Sequence, residues 1–202
     1  MRSYQAILFD FDGVLVDSEP VHFECWRQVL VPFGIQLDWA TYHAHFIGIS
    51  DFEMLESLAR LRQPPIDVCL LWDEYPRKRA LFRERMASGS AITPEVRELL
   101  HALSDYRLAV VSSSGRDEIE PLLQAGGIRA CFSALVCRED VTEFKPAPQP
   151  YLKAASLLGA SRALVVEDSQ AGIASGKAAG FDVLEVPAAA GMPDLLRVWL
   201  SA

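Results

Sequence analysis

The sequence predicts an α/β fold with a mostly parallel sheet. Short apolar segments recur along the chain, and helix-like stretches separate most of them. Strands that alternate with helices favour parallel pairing, because each helix returns the chain to the same end of the sheet. A third observation predicts a helical insert in this fold: one long segment after the first apolar run has helical patterns and no convincing strand.

Five segments are predicted as buried strands, because each is short, apolar and bounded by turn or polar residues. In order along the chain they are AILFD (6–10), RLAVVSSS (107–114), FSALVC (132–137), RALVVEDS (162–169) and FDVLEVP (181–187). We expect these segments to form one sheet.

Four helices are predicted around these strands. The first, 93–103, begins with Thr93 as a capping residue and Pro94 at its first position, and then has apolar residues spaced by three and four. The others are 115–127, 149–160 and 169–180, and the last two end at glycines, which suit a helix C-terminus.

The segment 18–87 interrupts the alternation. PVHFECWRQVLVPFG and DFEMLESLARL are amphipathic, and WDEYPRKRALFRERM carries mixed charges and a proline that starts or kinks a helix. We therefore expect two domains: a core made of 1–17 and 88–202, and a helical domain, 18–87, inserted after the first strand.

Composition excludes several classes of protein. The chain has 202 residues, half of them hydrophobic, a formal charge of −8 and a pI of about 5.0. It has no basic stripe for nucleic acid, no long apolar run for a membrane span, and no apolar leader with a cleavage site. We expect a cytoplasmic monomer that binds neither nucleic acid nor membrane.

Four cysteines, Cys25, Cys69, Cys131 and Cys137, have no CxxC spacing. A disulfide framework or a zinc site is therefore not expected, and we interpret these residues as reduced and mostly buried.

Polar residues follow the predicted strands at the ends where parallel sheets bind ligands. The first strand runs into two acids one residue apart, which would repel each other at the edge of an apolar core. An isolated lysine lies in the EFKPAPQP segment before the fourth strand. The set consists of Asp10, Asp12, Ser112, Ser113, Ser114, Lys145, Glu167 and Asp168.

This mixture of side chains has a chemical logic. Clustered carboxylates favour a hard cation bound through oxygen, and Mg²⁺ keeps coordination positions for water and phosphate. Hydroxyls and an ammonium group are suited to the remaining oxygens of a phosphoryl group. The sequence therefore predicts a phosphoryl ligand and a magnesium ion.

Each of these sequence segments, taken by itself, also has another interpretation. LFDFDGVLVDSE partly fits a calcium loop through Asp10, Asp12, Gly13, Leu15 and Glu19, but its first ligand would be a leucine and a strand precedes it. Asp-x-Asp also occurs in turns and at the metal site of sugar-nucleotide transferases. The serines and VEDS could simply cap helices, and the lysine could be a solvated loop residue.

Together, the segments DFDGVLVDS, VVSSSG, KPAPQPY and VVEDSQAGIASGKAAG resemble the four motifs of the haloacid dehalogenase-like superfamily. The match is closest to its β-phosphoglucomutase-like and sugar-phosphate phosphatase branch and covers nearly the whole chain. The resemblance implies a Rossmann-like core with a small helical cap. It also implies that a phosphorylated metabolite is the partner.

The resemblance also implies a role for each site residue. Asp10 matches the nucleophile that forms an aspartyl-phosphate, and Asp12 matches the general acid and base. Ser112, with the backbone of Ser113, and Lys145 match the phosphoryl-binding groups. The implied Mg²⁺ ligands are the Asp10 carboxylate, the Asp12 carbonyl and Asp168, with Glu167 beside it. A dehalogenase is disfavoured, because those enzymes lack the second aspartate.

Substrate choice depends on residues that the motifs do not cover. His22 matches a cap histidine that faces the site in mutases and some phosphatases, although it could also be an exposed helix residue. The mutases carry an arginine for the distal phosphate where this chain has Asp51, and a lysine where it has Gly115, for which Arg116 could substitute. We therefore favour a Mg²⁺-dependent phosphatase acting on a small phosphomonoester, such as a sugar phosphate, over a mutase.

A third class, a non-catalytic phosphate-binding or signalling module, is also considered. Signalling receivers lack a helical insert, and an inert module would tolerate loss of Asp10 or Asp12, both of which are present.

Overall fold

The structure is a computed structural model, and it describes residues 4–47, 49–87 and 92–201. The predicted domain ranges 18–87 and 1–17 with 88–202 also include a few residues outside these. The chain forms two compact units, Met1–Ser18 with Ala87–Ala202, and Glu19–Met86.

The first unit is built on a five-stranded parallel sheet in the order β3-β2-β1-β4-β5. Its strands are β1 (Ala6–Phe9), β2 (Arg107–Val111), β3 (Ala134–Val136), β4 (Ala163–Glu167) and β5 (Asp182–Glu185). All five predicted strands are present, and the predicted parallel α/β class is confirmed. β1 lies in the centre, between β2 and β4, and all four of its residues are buried.

The strands are shorter than predicted because their polar ends leave the sheet. β2 stops at Val111, and the following residue keeps one bond, from Ser112 N–H to the Val136 carbonyl at 2.9 Å. The chain then turns into a helix. The polar strand ends are therefore free to point at a ligand instead of continuing the ladder.

Within the described residues, the α-helices of this unit are α6 (Pro94–Ala102), α7 (Arg116–Ala125), α8 (Gln149–Leu157), α9 (Gln170–Ala178) and α10 (Met192–Ser201). The first four were predicted, and Thr93 caps α6 as expected by accepting a hydrogen bond from Val96 N–H. α10 was not predicted, although Leu196 on it is fully buried. α8 packs through Tyr151, Ala154 and Ala155 into a cluster with sheet residues such as Leu8.

The second unit is helical, as predicted for the insert. It contains α1 (Glu19–Leu30), α2 (Trp39–His45), α3 (Asp51–Leu61), α4 (Val68–Trp72) and α5 (Tyr75–Met86). Its core is formed by apolar residues from these helices, among them Trp26, Leu30, Leu55 and Leu71, all fully buried. α3 begins with a capping box between Ser50 and Glu53.

No disulfide joins the four cysteines, as expected. Their burial is more mixed than predicted, because Cys69 is exposed and Cys131 is half-buried. Within the three described ranges, no helix is long and apolar enough to cross a membrane.

Candidate active site

The candidate site lies where the sheet order changes direction. From β1 the chain proceeds outward through β2 to β3, and then returns to place β4 on the other side of β1. In parallel sheets a ligand crevice forms at such a point, beyond the carboxyl ends of the strands. Asp10 follows β1 directly, and its N–H still donates to the Val166 carbonyl at 3.0 Å. Asp10 is therefore held against the end of β4.

A buried lysine links the two strand ends. Lys145 Nζ donates to Asp10 Oδ1 at 2.5 Å and to Glu167 Oε1 at 2.6 Å, and it also donates to the Val111 carbonyl at 3.1 Å. The Lys145 side chain is only 6% exposed and that of Glu167 is fully buried. The structure thus brings together Asp10, Lys145 and Glu167, as the sequence predicts.

The three groups respond differently to this burial. Burial raises the pKa of the Asp10 carboxyl well above its ordinary value, and Lys145 offsets only part of that effect. Burial alone would also raise the pKa of Glu167, but the ammonium of Lys145 and nearby donors lower it. Burial disfavours the charged form of Lys145, yet the Asp10 and Glu167 carboxylates outweigh it and raise its pKa. Lys145 and Glu167 therefore form a stable ion pair. The ionised form of Asp10 is less favoured, because Lys145 compensates only part of the effect of burial.

The hydrogen-bonding capacity of Glu167 is largely used within the protein. Besides Lys145, Oε1 accepts a bond from the Tyr151 hydroxyl at 2.8 Å. Oε2 accepts bonds at 3.0 Å from Asp168 N–H, Ser169 N–H and the Ser169 hydroxyl. A carboxylate with five such partners is a poor candidate for a direct metal ligand. Glu167 is better suited to hold Lys145 and the chain around Asp168 in place.

The next residue, Asp168, is half-buried, and burial together with the Glu167 carboxylate raises its pKa to about 7. It approaches the backbone of Gly13, and a Cβ at position 13 would overlap its carboxylate. Gly13 also has a φ of 75°, which favours glycine. The turn after β1 thus leaves room for Asp168 only because residue 13 has no side chain.

The donor set fits a divalent cation. One carboxylate oxygen each of Asp10, Glu167 and Asp168 lies within 4.8 Å of the others. Asp10 and Asp168 are the candidate direct ligands, while Glu167 adds its negative charge to the site. If all three are ionised, three negative charges face the single ammonium of Lys145, which leaves an excess of two. Hard oxygen donors with this excess suit Mg²⁺. Burial chiefly, and the neighbouring carboxylates in addition, raise the pKa values of Asp10 and Asp168, and a bound cation would favour their ionised forms.

Asp12 lies in a tight turn beside this cluster. The turn is closed by bonds from Gly13 N–H to the Val16 carbonyl at 2.7 Å and from Val16 N–H to the Phe11 carbonyl at 3.1 Å. The Asp12 carboxylate accepts hydrogen bonds from the buried Ser18 hydroxyl and, at 3.4 Å, from the Ser114 hydroxyl. These contacts orient the Asp12 side chain.

The serines after β2 adopt distinct positions. The Ser112 hydroxyl is buried and accepts a bond from Ser114 N–H at 3.0 Å, so its own proton remains available for a ligand. Ser113 is exposed. Both placements agree with a phosphoryl-binding turn.

Two predicted residues have other partners. Arg116 donates to Asp140 at 2.6 Å and to the Leu135 carbonyl at 3.0 Å, which ties it to the loop after β3 and not to Asp10. His22 belongs to the helical unit, where its ring stacks on Phe82 with centroids 4.1 Å apart. The phosphate-binding roles predicted for both remain predictions.

The helical unit contains a polar cluster that the sequence analysis did not identify. Lys78 on α5 is 3% exposed, and its Nζ lies 2.8 Å from His22 Nδ1 and 3.1 Å from Asp51 Oδ2. Trp26 Nε1 donates to Asp51 Oδ1 at 2.6 Å. Asp51 is therefore neutralised by Lys78 and does not present an isolated negative charge.

Sequence reasoning also missed Tyr151, Ser18 and Gly172. Tyr151 ends the quoted KPAPQPY segment, and Gly172 lies in VVEDSQAGIASGKAAG, but neither residue type signals a role at these positions. Only the structure shows that a Cβ on Gly172 would overlap the Glu167 carboxylate.

Gly172→Ala is therefore expected to displace Glu167 and to lower the free energy of unfolding by about 1–3 kcal/mol, as overpacking typically does. Urea unfolding measures this loss. Gly191→Ala is the matched control, because no atom lies within 4 Å of a Cβ built there. Equal stability of the two variants would contradict the proposed close packing of Gly172 on Glu167.

Known proteins resemble this chain over most of its length. The profile of the haloacid dehalogenase-like hydrolase family matches residues 7–186. The fructose-1-phosphate phosphatase YqaB of Escherichia coli K12 is 30% identical over 185 residues, covering 91% of this chain and 96% of that protein. The validoxylamine A 7'-phosphate phosphatase of Streptomyces hygroscopicus subsp. limoneus is 31% identical, covering 88% and 83%.

A solved structure shows the same architecture. CbbY from Rhodobacter sphaeroides, in complex with phosphate, has a TM-score of 0.73 and 25% identity, covering 92% of this chain and 87% of that chain. The resemblance seen in the four motifs is thus confirmed by sequence and by fold. This chain belongs to the haloacid dehalogenase-like hydrolase family.

Proposed function

We propose that this protein is a Mg²⁺-dependent phosphatase that hydrolyses a small phosphomonoester, with a sugar phosphate as the favoured substrate class. The observation that carries the proposal is the buried Asp10–Lys145–Glu167 chain beside Asp168 at the carboxyl end of the central strand. The name of the Escherichia coli relative supports the substrate class, since it is a fructose-1-phosphate phosphatase, and the Streptomyces relative is also a phosphatase of a small phosphorylated compound.

In the first step, a carboxylate oxygen of Asp10 attacks phosphorus, and the bond from phosphorus to the leaving oxygen breaks. Asp12, in its protonated form, gives its proton to that oxygen. The product is an aspartyl-phosphate and a free alcohol. This covalent intermediate divides one difficult displacement into two easier ones.

In the second step, Asp12 removes a proton from water as the water attacks phosphorus, and the bond between phosphorus and Asp10 breaks. Inorganic phosphate leaves, and Asp12 is protonated again. The bonds from Ser18 and Ser114 support this role because they hold the Asp12 carboxylate in one orientation.

Other residues bind the phosphoryl group. Ser112 offers its hydroxyl proton, Ser113 offers its backbone N–H, and Lys145 offers an N–H of its ammonium. Positioning and charge neutralisation are the main needs of phosphoryl transfer. Asp10, Asp168 and the Asp12 carbonyl would hold Mg²⁺, with Glu167 behind Asp168, and the ion would supply positive charge against the phosphoryl oxygens.

Two alternatives are weaker. A mutase handles a bisphosphate and needs a cationic anchor for the second phosphate; at position 51 this chain has instead an aspartate paired with Lys78, a pair without net charge. A non-catalytic module would not need the buried Asp10 with raised pKa next to an oriented Asp12.

The four cysteines without a disulfide are in keeping with a cytoplasmic enzyme.

Mg²⁺ is expected to be needed for activity and to stabilise the folded protein. Stripping with EDTA should abolish hydrolysis of p-nitrophenyl phosphate, and added Mg²⁺ should restore it. Mg²⁺ should also raise the Tm, because an ion that binds only the native state stabilises it.

Asp168→Asn should lose most of that Tm increase, while Asp105→Asn, at an exposed position, should keep it. Full activity after metal stripping would refute the role of the metal.

Asp10→Asn is expected to abolish turnover, because an amide cannot act as the nucleophile. Circular dichroism should show an intact fold, since the amide oxygen can still accept a bond from Lys145. Asp17→Asn is the control, because Asp17 is close in sequence but exposed. Near-normal turnover by Asp10→Asn would exclude the covalent mechanism.

Hydrolysis is expected to prevail over isomerisation. With β-glucose 1-phosphate, Mg²⁺ and a trace of the 1,6-bisphosphate, we expect phosphate and glucose as products and little glucose 6-phosphate. Asp51→Asn is the informative comparison. It removes the carboxylate charge that pairs with Lys78, but it keeps a side-chain oxygen that can accept the bond from Trp26 Nε1. Rapid formation of glucose 6-phosphate by the wild type, with negligible phosphate release, would favour the mutase.

A further inference from the structure

Lys145 has no spare donor in the ligand-free protein. An ammonium group has three N–H bonds. Those of Lys145 are accounted for by Asp10 Oδ1, Glu167 Oε1 and the Val111 carbonyl. To bind a phosphoryl oxygen, Lys145 must therefore release one of these three acceptors.

Releasing a buried acceptor is costly if that acceptor is left without a partner. Glu167 Oε1 differs from most buried acceptors because it has a second donor, the hydroxyl of Tyr151 at 2.8 Å. Oε2 of the same carboxylate keeps its bonds to Asp168 N–H and Ser169. Glu167 is therefore the acceptor that Lys145 can release without leaving an unpaired buried oxygen.

Tyr151 is well placed for this task. It lies in the first turn of α8, is fully buried, and its ring centroid is 5.1 Å from Lys145 Nζ. The ring face thus lies against the ammonium while the hydroxyl reaches the carboxylate, which favours a charged lysine beside the ring.

We propose that Tyr151 is a positioning residue whose hydroxyl keeps Glu167 satisfied while an N–H of Lys145 turns from Glu167 to the phosphoryl group. The exchange replaces one hydrogen bond of Lys145 by another and makes or breaks no covalent bond. This inference rests on the proposed function, because it assumes that the site binds a phosphoryl group.

Tyr151→Phe tests the proposal, because it removes the hydroxyl and keeps the ring. The matched control is Tyr4→Phe. Tyr4 is a buried tyrosine in the same unit whose hydroxyl also donates to a carboxylate, Asp182 Oδ2, at 2.7 Å. Both variants should fold, and in Tyr151→Phe the resting Glu167 Oε1 still accepts a bond from Lys145.

The primary measurement is the Kd of inorganic phosphate in the presence of Mg²⁺, determined by calorimetry. KM and kcat for p-nitrophenyl phosphate are measured in parallel. Tyr151→Phe should raise the Kd and the KM roughly 10-fold or more, whereas Tyr4→Phe should change either value by about twofold at most. The Tm of Tyr151→Phe should fall no further than the Tm of Tyr4→Phe.

Equal phosphate affinity of the two variants would overturn the proposal and leave the Tyr151 hydroxyl a purely structural role. A wild-type protein that binds phosphate but hydrolyses no ester would refute the proposed function, while the difference in Kd would still decide the role of Tyr151. A wild type that does not bind phosphate at all would overturn both.

Discussion

The site depends on one buried cation that serves two carboxylates. Lys145 pairs with Glu167, which has four further hydrogen bonds, and with Asp10, whose pKa is raised by burial. Removing the lysine would leave two carboxylates facing each other in a buried site. Burial makes Asp10 costly to ionise, and a divalent cation at this site would supply positive charge that favours its ionised form.

Glycine residues also limit where the carboxylates of this ion network can lie. Glu167 and Asp168 each lie against a glycine, Gly172 and Gly13 respectively, at a distance that leaves no room for a Cβ. One glycine is in a turn after the first strand and the other is in the helix after the fourth. The carboxylates are thus positioned by steric limits from two sides, besides their hydrogen bonds.

The sheet and most of the site could be predicted because their signals are local. An apolar run that ends in acids marks a strand and its functional end together, as for Ala6–Phe9 and Asp10. Side-chain pairing between distant segments has no such signal. Asp51 and Lys78 are separated by 27 positions, and nothing in either segment indicates their ion pair. The bond from Arg116 to Asp140, 24 positions away, likewise has no signal in either segment.

The central position of β1 has a consequence for how the protein is made. Lys145 and Asp10 are 135 positions apart, and β1 pairs with strands that begin at Arg107 and Ala163. The helical unit, by contrast, is one continuous segment and can collapse on local contacts. During synthesis the first strand, with its aspartate, therefore remains without either neighbour until about half of the chain has followed it. Both edges of this apolar strand are open to wrong pairing in that interval, and polar residues at its end counteract such pairing.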